Sequence, residues 1–309
     1  MLALVSTPTK QTPVELRDVA EPEAAPDQAV VAVQAFSLNR GELSLLKSRP
    51  EGWRPGQDIA GIIVQPAADG SGPGEGTRVV GLVDNGGWAQ RVAVPTARMA
   101  VLPDTVSFAA AATLPIAGLT ALRTVRLGGA LLGRRVLITG AAGGVGRFAV
   151  QLAALAGAEV TGVAGRPERV TGLRERGAHT VVTNIQEATG LFDLILESVG
   201  GASLAAAIRL VAPEGTIVIF GNSSGEDTTI SFQSFVGHHG ARLIPFFSYL
   251  AGPPASFGAD LAVLVSLIEA GKLTPPIGLE ESWHNFGPAT TALRDRQVQG
   301  KAVFHVDQA

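Results

Sequence analysis

The chain of 309 residues contains no cysteine. That absence excludes disulfides, thiol nucleophiles and every metal site that depends on thiolates. Tyrosine is nearly missing too, with Tyr249 alone, and methionine occurs only twice. Charge is sparse, at 17% of residues, and the formal net charge of -3 comes without any basic block. Such a balance leaves no electrostatic footprint for nucleic acid or for an anionic membrane surface, so neither partner is expected. Long apolar runs are also absent. The longest uncharged stretch, Thr105 to Leu122, carries Ser107, Thr113, Pro115, Gly118 and Thr120 and reads as a buried helix followed by a turn. The run from Leu243 to Ala259 is interrupted by Pro245, Pro253 and Pro254, and the first residues lack the basic region and cleavage pattern of a signal peptide. The cytoplasm is the expected compartment.

What the chain does have is glycine, 38 of them, and an apolar content of 46%. At roughly 100 to 200 residues per domain, the length suggests two domains, each with its own core. The first hundred residues read as short β-branched strands, at Val30 to Phe36, Ile59 to Val64, Arg78 to Val83 and Ala89 to Val94, separated by turn clusters such as Asp69 to Gly76. From Ser107 the texture changes to strands alternating with helical patterns, which predicts βαβ units on a parallel sheet. Six strands are expected: Arg135 to Thr139, Glu159 to Ala164, Thr180 to Thr183, Phe192 to Glu197, Thr216 to Phe220 and Arg242 to Phe246. A last helix, Leu261 to Ala270, leads to a strand at Ala302 to Val306 that is expected to return to the first module.

The strongest chemical signal is Thr139-Gly-Ala-Ala-Gly-Gly-Val-Gly146, directly after a predicted strand and opening a predicted helix. Around Ala142, Gly143, Gly144 and Val145 the backbone would approach a pyrophosphate closely, and Gly146 would let helix and sheet pack tightly. Ala141 stands where the strict glycine pattern has its first Gly, and a tight turn packed for steric reasons is the plainer reading. At the end of the second strand, where a carboxylate would grip a ribose hydroxyl, the chain has Gly165-Arg166-Pro-Glu-Arg169. Arg166 and Arg169 suit a 2'-phosphate, which predicts NADP(H), although two solvated arginines opening a helix would look the same. A sheet of order 3-2-1-4-5-6 would also bring the loops Ser198 to Gly201, with Val199, and Phe220 to Gly225, with Gly221 and Ser223, to the cofactor crevice.

An ordered set of motifs runs along the whole chain: Ser37-Leu-Asn-Arg-Gly-Glu42, Pro55-Gly-Gln-Asp-Ile-Ala-Gly61, Gly76-Thr-Arg-Val79, Gly86-Gly-Trp-Ala89, Leu114 to Ala121, the glycine fingerprint, Asp193 to Gly201 and Gly300-Lys301. In this set the chain resembles the medium-chain dehydrogenase/reductase superfamily, and within it the zinc-free quinone oxidoreductase group. The resemblance implies an α/β fold, a Rossmann doubly wound parallel sheet inserted into a GroES-like β-rich catalytic domain, usually in a homodimer. The expected boundaries are 1–117 with 252–309 for the catalytic domain and 118–251 for the nucleotide domain. It also implies roles for residues. Asn39 matches an Asn beside nicotinamide and substrate, Thr120 and Lys301 match cofactor contacts, and Glu42 falls at the substrate side, where the family often has Asp. Phe246, Phe247 and Tyr249 lie in a segment that in the family borders the cleft or the dimer interface. The family often has a Tyr where this chain has Ser44, and the following loop is short, with Trp53 as a candidate aromatic wall for a flat substrate.

Without Cys, the zinc sites of the metal-dependent relatives cannot form, and the histidines at 179, 238, 239, 284 and 305 are scattered, so no metal is expected. Hydride transfer from NADPH to a quinone or an activated alkene needs no Lewis acid, because the product is a delocalised anion that water can protonate. Asn39 is then the candidate hydrogen-bond donor to the developing anion and Tyr249 a candidate proton donor. A short-chain dehydrogenase is disfavoured, since Pro253 stands four residues after the only tyrosine, where that family needs Lys. An NADPH-binding sensor with little catalysis is the competing reading.

Overall fold

The computed structural model describes residues 1–7, 13–248 and 256–307. It divides into two compact units, Met1–Leu119 with Gly252–Ala309, and Thr120–Ala251. The first unit opens with an antiparallel hairpin of β1 (Leu2–Ser6) and β2 (Val14–Asp18). There follow β3 (Gln28–Leu38), α1 (Arg40–Ser48), β4 (Asp58–Gln65), β5 (Arg78–Leu82), β6 (Arg91–Pro95), β7 (Met99–Val101) and α2 (Phe108–Ala112), the last capped by Ser107, whose side chain accepts the Ala110 N–H.

In the second unit come α3 (Leu119–Arg126), which begins at the boundary, then β8 (Arg135–Thr139), α4 (Gly144–Leu155), β9 (Glu159–Val163), β10 (Thr180–Val182), β11 (Phe192–Glu197), α5 (Gly201–Ile208), β12 (Val211–Ile219) and β13 (Arg242–Pro245). All six strands are parallel, in the order β10-β9-β8-β11-β12-β13. The six predicted strands and their doubly wound order are therefore present. The order reverses between β8 and β11, the position at which such sheets bind ligands. Their cores are near-continuous apolar runs, as strands covered on both faces require: Leu137, Ile195 and Ile217 are fully buried together with Phe192 and Ile208.

The chain then completes the first unit with α6 (Ser256–Glu269), β14 (Ile277–Ser282), α7 (Phe286–Arg294) and β15 (Lys301–His305). The mixed sheet there runs β14-β15-β3-β4-β5-β7, with β6 also on β3. Its spine is β3, eleven residues long. One edge of β3 pairs with β4; the other is shared between β6, along Gln28 to Ala32, and β15, along Ala35 to Leu38. The expected return of the C-terminal strand is thus observed, and it seats residue 302 opposite residue 38. An aromatic cluster closes the core beneath it, with Phe36 and Phe304 stacked at 5.3 Å and Trp88 and Phe286 at 4.6 Å between ring centroids.

The segment Thr105 to Leu122 departs from the expected helix and turn. After α2 it continues as a π-helical turn, Leu114–Gly118, directly into α3. Pro115 does not break this path because it occupies the first turn, where its missing N–H has no partner to lose. Among the described residues no helix is long and apolar enough to cross a membrane.

Candidate functional site

In the first unit, four polar side chains far apart in sequence meet where β3 ends. Asn39 follows β3 and opens α1; Glu42 lies in the first turn of α1; Asp58 begins β4; Lys301 begins β15. Strand register dictates the meeting, since Ser37 is paired with Asp58 across β3 and β4, and Leu38 with Ala302 across β3 and β15. Glu42 and Asp58 are fully buried and Lys301 is 3% exposed, whereas Asn39 is half-buried.

Each buried charge is satisfied. The Lys301 ammonium donates to the Leu38 carbonyl at 3.1 Å, to Asp58 Oδ2 at 3.1 Å and to Asn39 Oδ1. Asp58 Oδ2 also accepts from Ser37 Oγ at 2.7 Å and from Asn39 Nδ2 at 2.8 Å, and its Oδ1 accepts the Ile116 N–H at 2.9 Å. Glu42 accepts the Asn39 N–H at 2.7 Å and the Gln57 N–H at 2.9 Å, one on each carboxylate oxygen. Burial, with the Asp58 charge adding to it, pushes the Glu42 carboxyl up to about 8 against the pull of those N–H groups and of Lys301.

For two of the residues the geometry differs from the sequence-based expectation. Glu42 was placed at the substrate, but it has no exposed surface, and it acts as a bracket between the start of α1 and the loop before β4. Lys301 was placed at the cofactor, but an ammonium has three N–H donors and all three are bonded within this cluster. Asp58 lay inside a quoted motif without being singled out as a site residue. Trp53 is half-buried, with the Arg49 guanidinium 5.7 Å from its ring centroid, and its carbonyl accepts the Ser6 N–H.

The second unit carries a different kind of site, made mostly of backbone. Gly140 has φ +60°, a left-handed turn that only glycine adopts without strain, at the exit of β8. A Cβ on Gly146 would lie 2.6 Å from the Ala141 Cα and closer still to the Gly140 carbonyl, so the helix can sit this near the turn only with glycine there. Gly143 caps α4 and has no side chain to bond the N–H groups of the first turn. Gly143, Gly144 and Val145 are half-exposed at this helix end, while Ala142 is buried at 1%. That combination of orphan N–H groups, positive dipole end and removed Cβ atoms is what a diphosphate needs.

Around it, Gly165 (φ +75°) and Arg166 are exposed after β9, and Arg169 is half-buried in a short 3-10 turn, Pro167–Arg169. The loops after β11 and β12 are tied to each other, with the Ser223 N–H on the Ser198 carbonyl at 3.0 Å and the Ser224 N–H on the Val199 carbonyl at 2.8 Å. Val199, Phe220 and Gly221 are half-exposed and Ser223 is exposed. Thr120 is buried at 5%, Phe246 at 9%, and Phe247 stands 55% exposed. Tyr249 lies outside the described residues.

Sequence reasoning passed over one organiser of this unit. Glu197, fully buried at the end of β11, accepts from Thr139 Oγ1 at 3.1 Å, from the Val199 N–H at 3.1 Å, from the Gly200 N–H at 3.0 Å and from Ser203 Oγ at 2.9 Å. Thr139 Oγ1 in turn accepts the Ser198 N–H at 2.9 Å. The glycine turn after β8 and the loop after β11 are thereby fixed to one carboxylate. A buried Glu at a strand end followed by Ser-Val-Gly-Gly is the signal that was available.

A protein-family model described as "Zinc-binding dehydrogenase" matches residues 144–266. Among curated proteins, the chain is 35% identical over 269 residues to the spectinabilin polyketide synthase system protein NorB of Streptomyces orinoci, covering 82% of this chain and 12% of that protein. It is 28% identical over 310 residues to 2-methylene-furan-3-one reductase of Solanum lycopersicum, covering 93% of this chain and 74% of the reductase. The chain thus spans about an eighth of the synthase and about three quarters of the reductase. Among solved structures, Escherichia coli quinone oxidoreductase complexed with NADPH superposes with a TM-score of 0.88 at 20% identity, covering 99% of this chain and all of the other. The family match, the relatives and the fold agree with the likeness read from the motifs: residues 144–266 match the zinc-binding dehydrogenase family, and the whole chain has the fold of a quinone oxidoreductase.

Proposed function

We propose that the protein is an NADPH-dependent oxidoreductase that reduces an activated carbon–carbon double bond conjugated to a carbonyl, in an enone or a quinone, without a metal. The carrying observation is Asn39. Its carboxamide is half-buried, fixed by Asp58 and Lys301, and keeps one amide N–H without a partner among the described residues. A carbonyl oxygen that gains negative charge during reduction is the acceptor such a donor suits.

The residues of the second unit fit the cofactor. The uncapped start of α4 and the Cβ-free approach at Gly146 suit a diphosphate, and Arg166 and Arg169 after β9 suit a 2'-phosphate in place of the carboxylate that would favour NADH. The relatives point the same way, since one is named as a furanone reductase and one was solved with NADPH. When bound, NADPH supplies a hydride to the electron-poor carbon. The chain's own part is to hold the carbonyl oxygen at Asn39 as charge collects there, and water delivers the proton that completes the reduction. Glu42 and Lys301 take no part in that proton transfer, because every polar atom they have is bonded inside the fold.

The test is oxidation of NADPH followed spectrophotometrically with an enone, a quinone and the saturated ketone of the same skeleton. Turnover of the enone or quinone and none of the saturated ketone is the expected result, with Asn39→Ala lowering kcat about 100-fold. NADPH binding with no turnover of any acceptor would overturn the enzyme reading in favour of a sensor.

A further inference from the structure

We propose that Asp58 and Lys301 are positioning residues that lock the Asn39 carboxamide in one of its two orientations, oxygen inward and one N–H presented, and so make the site selective for ligands with a hydrogen-bond-accepting oxygen. The inference rests on the reductase reading for its kinetic consequence and on geometry for the rest.

A carboxamide can turn by half a circle with little change in shape, and what it then offers a ligand changes from a donor to an acceptor. Here the two neighbours are each of one kind only. The Lys301 ammonium is a pure donor and faces Asn39 Oδ1; the Asp58 carboxylate is a pure acceptor and faces Nδ2 at 2.8 Å. Turning the amide over would set its N–H groups against a cation and its oxygen against an anion. Neither charge is screened by water, since Asp58 is fully buried and Lys301 is 3% exposed.

The clamp is itself rigid. Asp58 is held by Ser37 Oγ and by the Ile116 N–H, Lys301 by the Leu38 carbonyl, and the Asn39 main chain by Glu42. The charged groups around the amide come from three elements, Lys301 from β15, Asp58 from β4 and Glu42 from α1. The spare N–H is thus presented from a fixed frame, and the cation on the amide oxygen draws electron density away from it. A conjugated carbonyl profits from such a donor; a ligand that presents only N–H or O–H hydrogens does not.

Selective 15N labelling of asparagine reads the orientation without any activity, because the sequence has only five asparagines and Asn39→Ala identifies the side-chain signal. In the wild type the two Asn39 amide protons should be widely split, with the one bonded to Asp58 slow to exchange. In Asp58→Asn, in Lys301→Met and in the charge-neutral double variant they should collapse towards the values of a free carboxamide. On an enone the same variants should lose kcat by about 10- to 100-fold while NADPH affinity changes less than about threefold. Lys301→Arg should recover part of that loss, and none of the losses should add to that of Asn39→Ala. Unchanged Asn39 signals in folded Asp58→Asn and double-variant protein would overturn the proposal, as would losses fully additive with Asn39→Ala. If the wild type reduces no acceptor, the reductase reading fails, while the amide signals still decide the orientation.

Discussion

The charged centre of the first unit and the glycine cradle of the second are built from opposite materials. The first brings together side chains from positions 39, 42, 58 and 301 and buries the Asp58–Lys301 pair and the Glu42 carboxyl among hydrogen bonds. The second draws on residues 140 to 146 and works by leaving atoms out, so that backbone N–H groups stay open. A centre of paired charges should fail when one partner goes and recover when both go. A cradle of omitted atoms should fail when a single methyl is added.

The largest expected effect tests the first half of that contrast. Lys301→Met leaves Asp58 ionised, buried and short of its cation, at a cost of about 3–5 kcal/mol in urea unfolding. Adding Asp58→Asn removes the stranded charge, and the double variant should regain more than half of the loss. If the double variant is no more stable than the single one, the pair does not act as a charge pair.

Next comes the cradle. Gly146→Ala places its new carbon against the Ala141 and Gly140 backbone, which has no flexible end to move aside, and should cost about 1–3 kcal/mol in stability. NADPH affinity should fall at least about tenfold, because the helix end moves away from the turn. Ala at Gly41, where a Cβ meets nothing within 4 Å, is the control and should change neither. Arg166→Asp comes third. It should weaken NADPH binding by about tenfold or more and leave NADH nearly unaffected, measured by fluorescence titration; equal losses for both cofactors would remove Arg166 from the phosphate site.

The same contrast explains what could be read from the chain alone. The parallel sheet was legible because β8, β9, β11 and β12 are apolar runs between glycines, and the turn after β8 writes its function into adjacent letters. Asn39, Glu42 and Lys301 were found only through likeness to relatives, which supplies roles but not burial. Burial decides those roles, and burial of Lys301 follows from β15 returning to β3 across 263 positions, which no local pattern encodes. Asp58 and Glu197 were passed over for a related reason: a carboxylate at a strand end looks the same in sequence whether it faces water or, like these two, collects four hydrogen bonds in the interior. α1 and α7 were missed as helices because their apolar faces are short and their partners are each other and the sheet.

Glu42 supplies the subtlest separation of the two regions, through pH. Its carboxyl titrates at about 8 in the folded chain against 4.5 for the free group, raised mainly by burial and next by Asp58. The folded state therefore holds this proton more tightly than the unfolded state, so stability contributed here is complete below about 4.5 and falls as pH rises towards 8. The N–H groups of Asn39 and Gln57, with the Lys301 charge, already oppose burial within that value. Urea unfolding between pH 5 and 8, within roughly that window, should show the first unit losing stability with rising pH, and Glu42→Gln should flatten the slope. Gly146→Ala touches only the Gly140 and Ala141 backbone, so it should lower stability equally across the range. A slope that persists in Glu42→Gln would place the titrating group elsewhere and leave Glu42 ionised throughout, held by its two backbone N–H bonds rather than neutralised by burial.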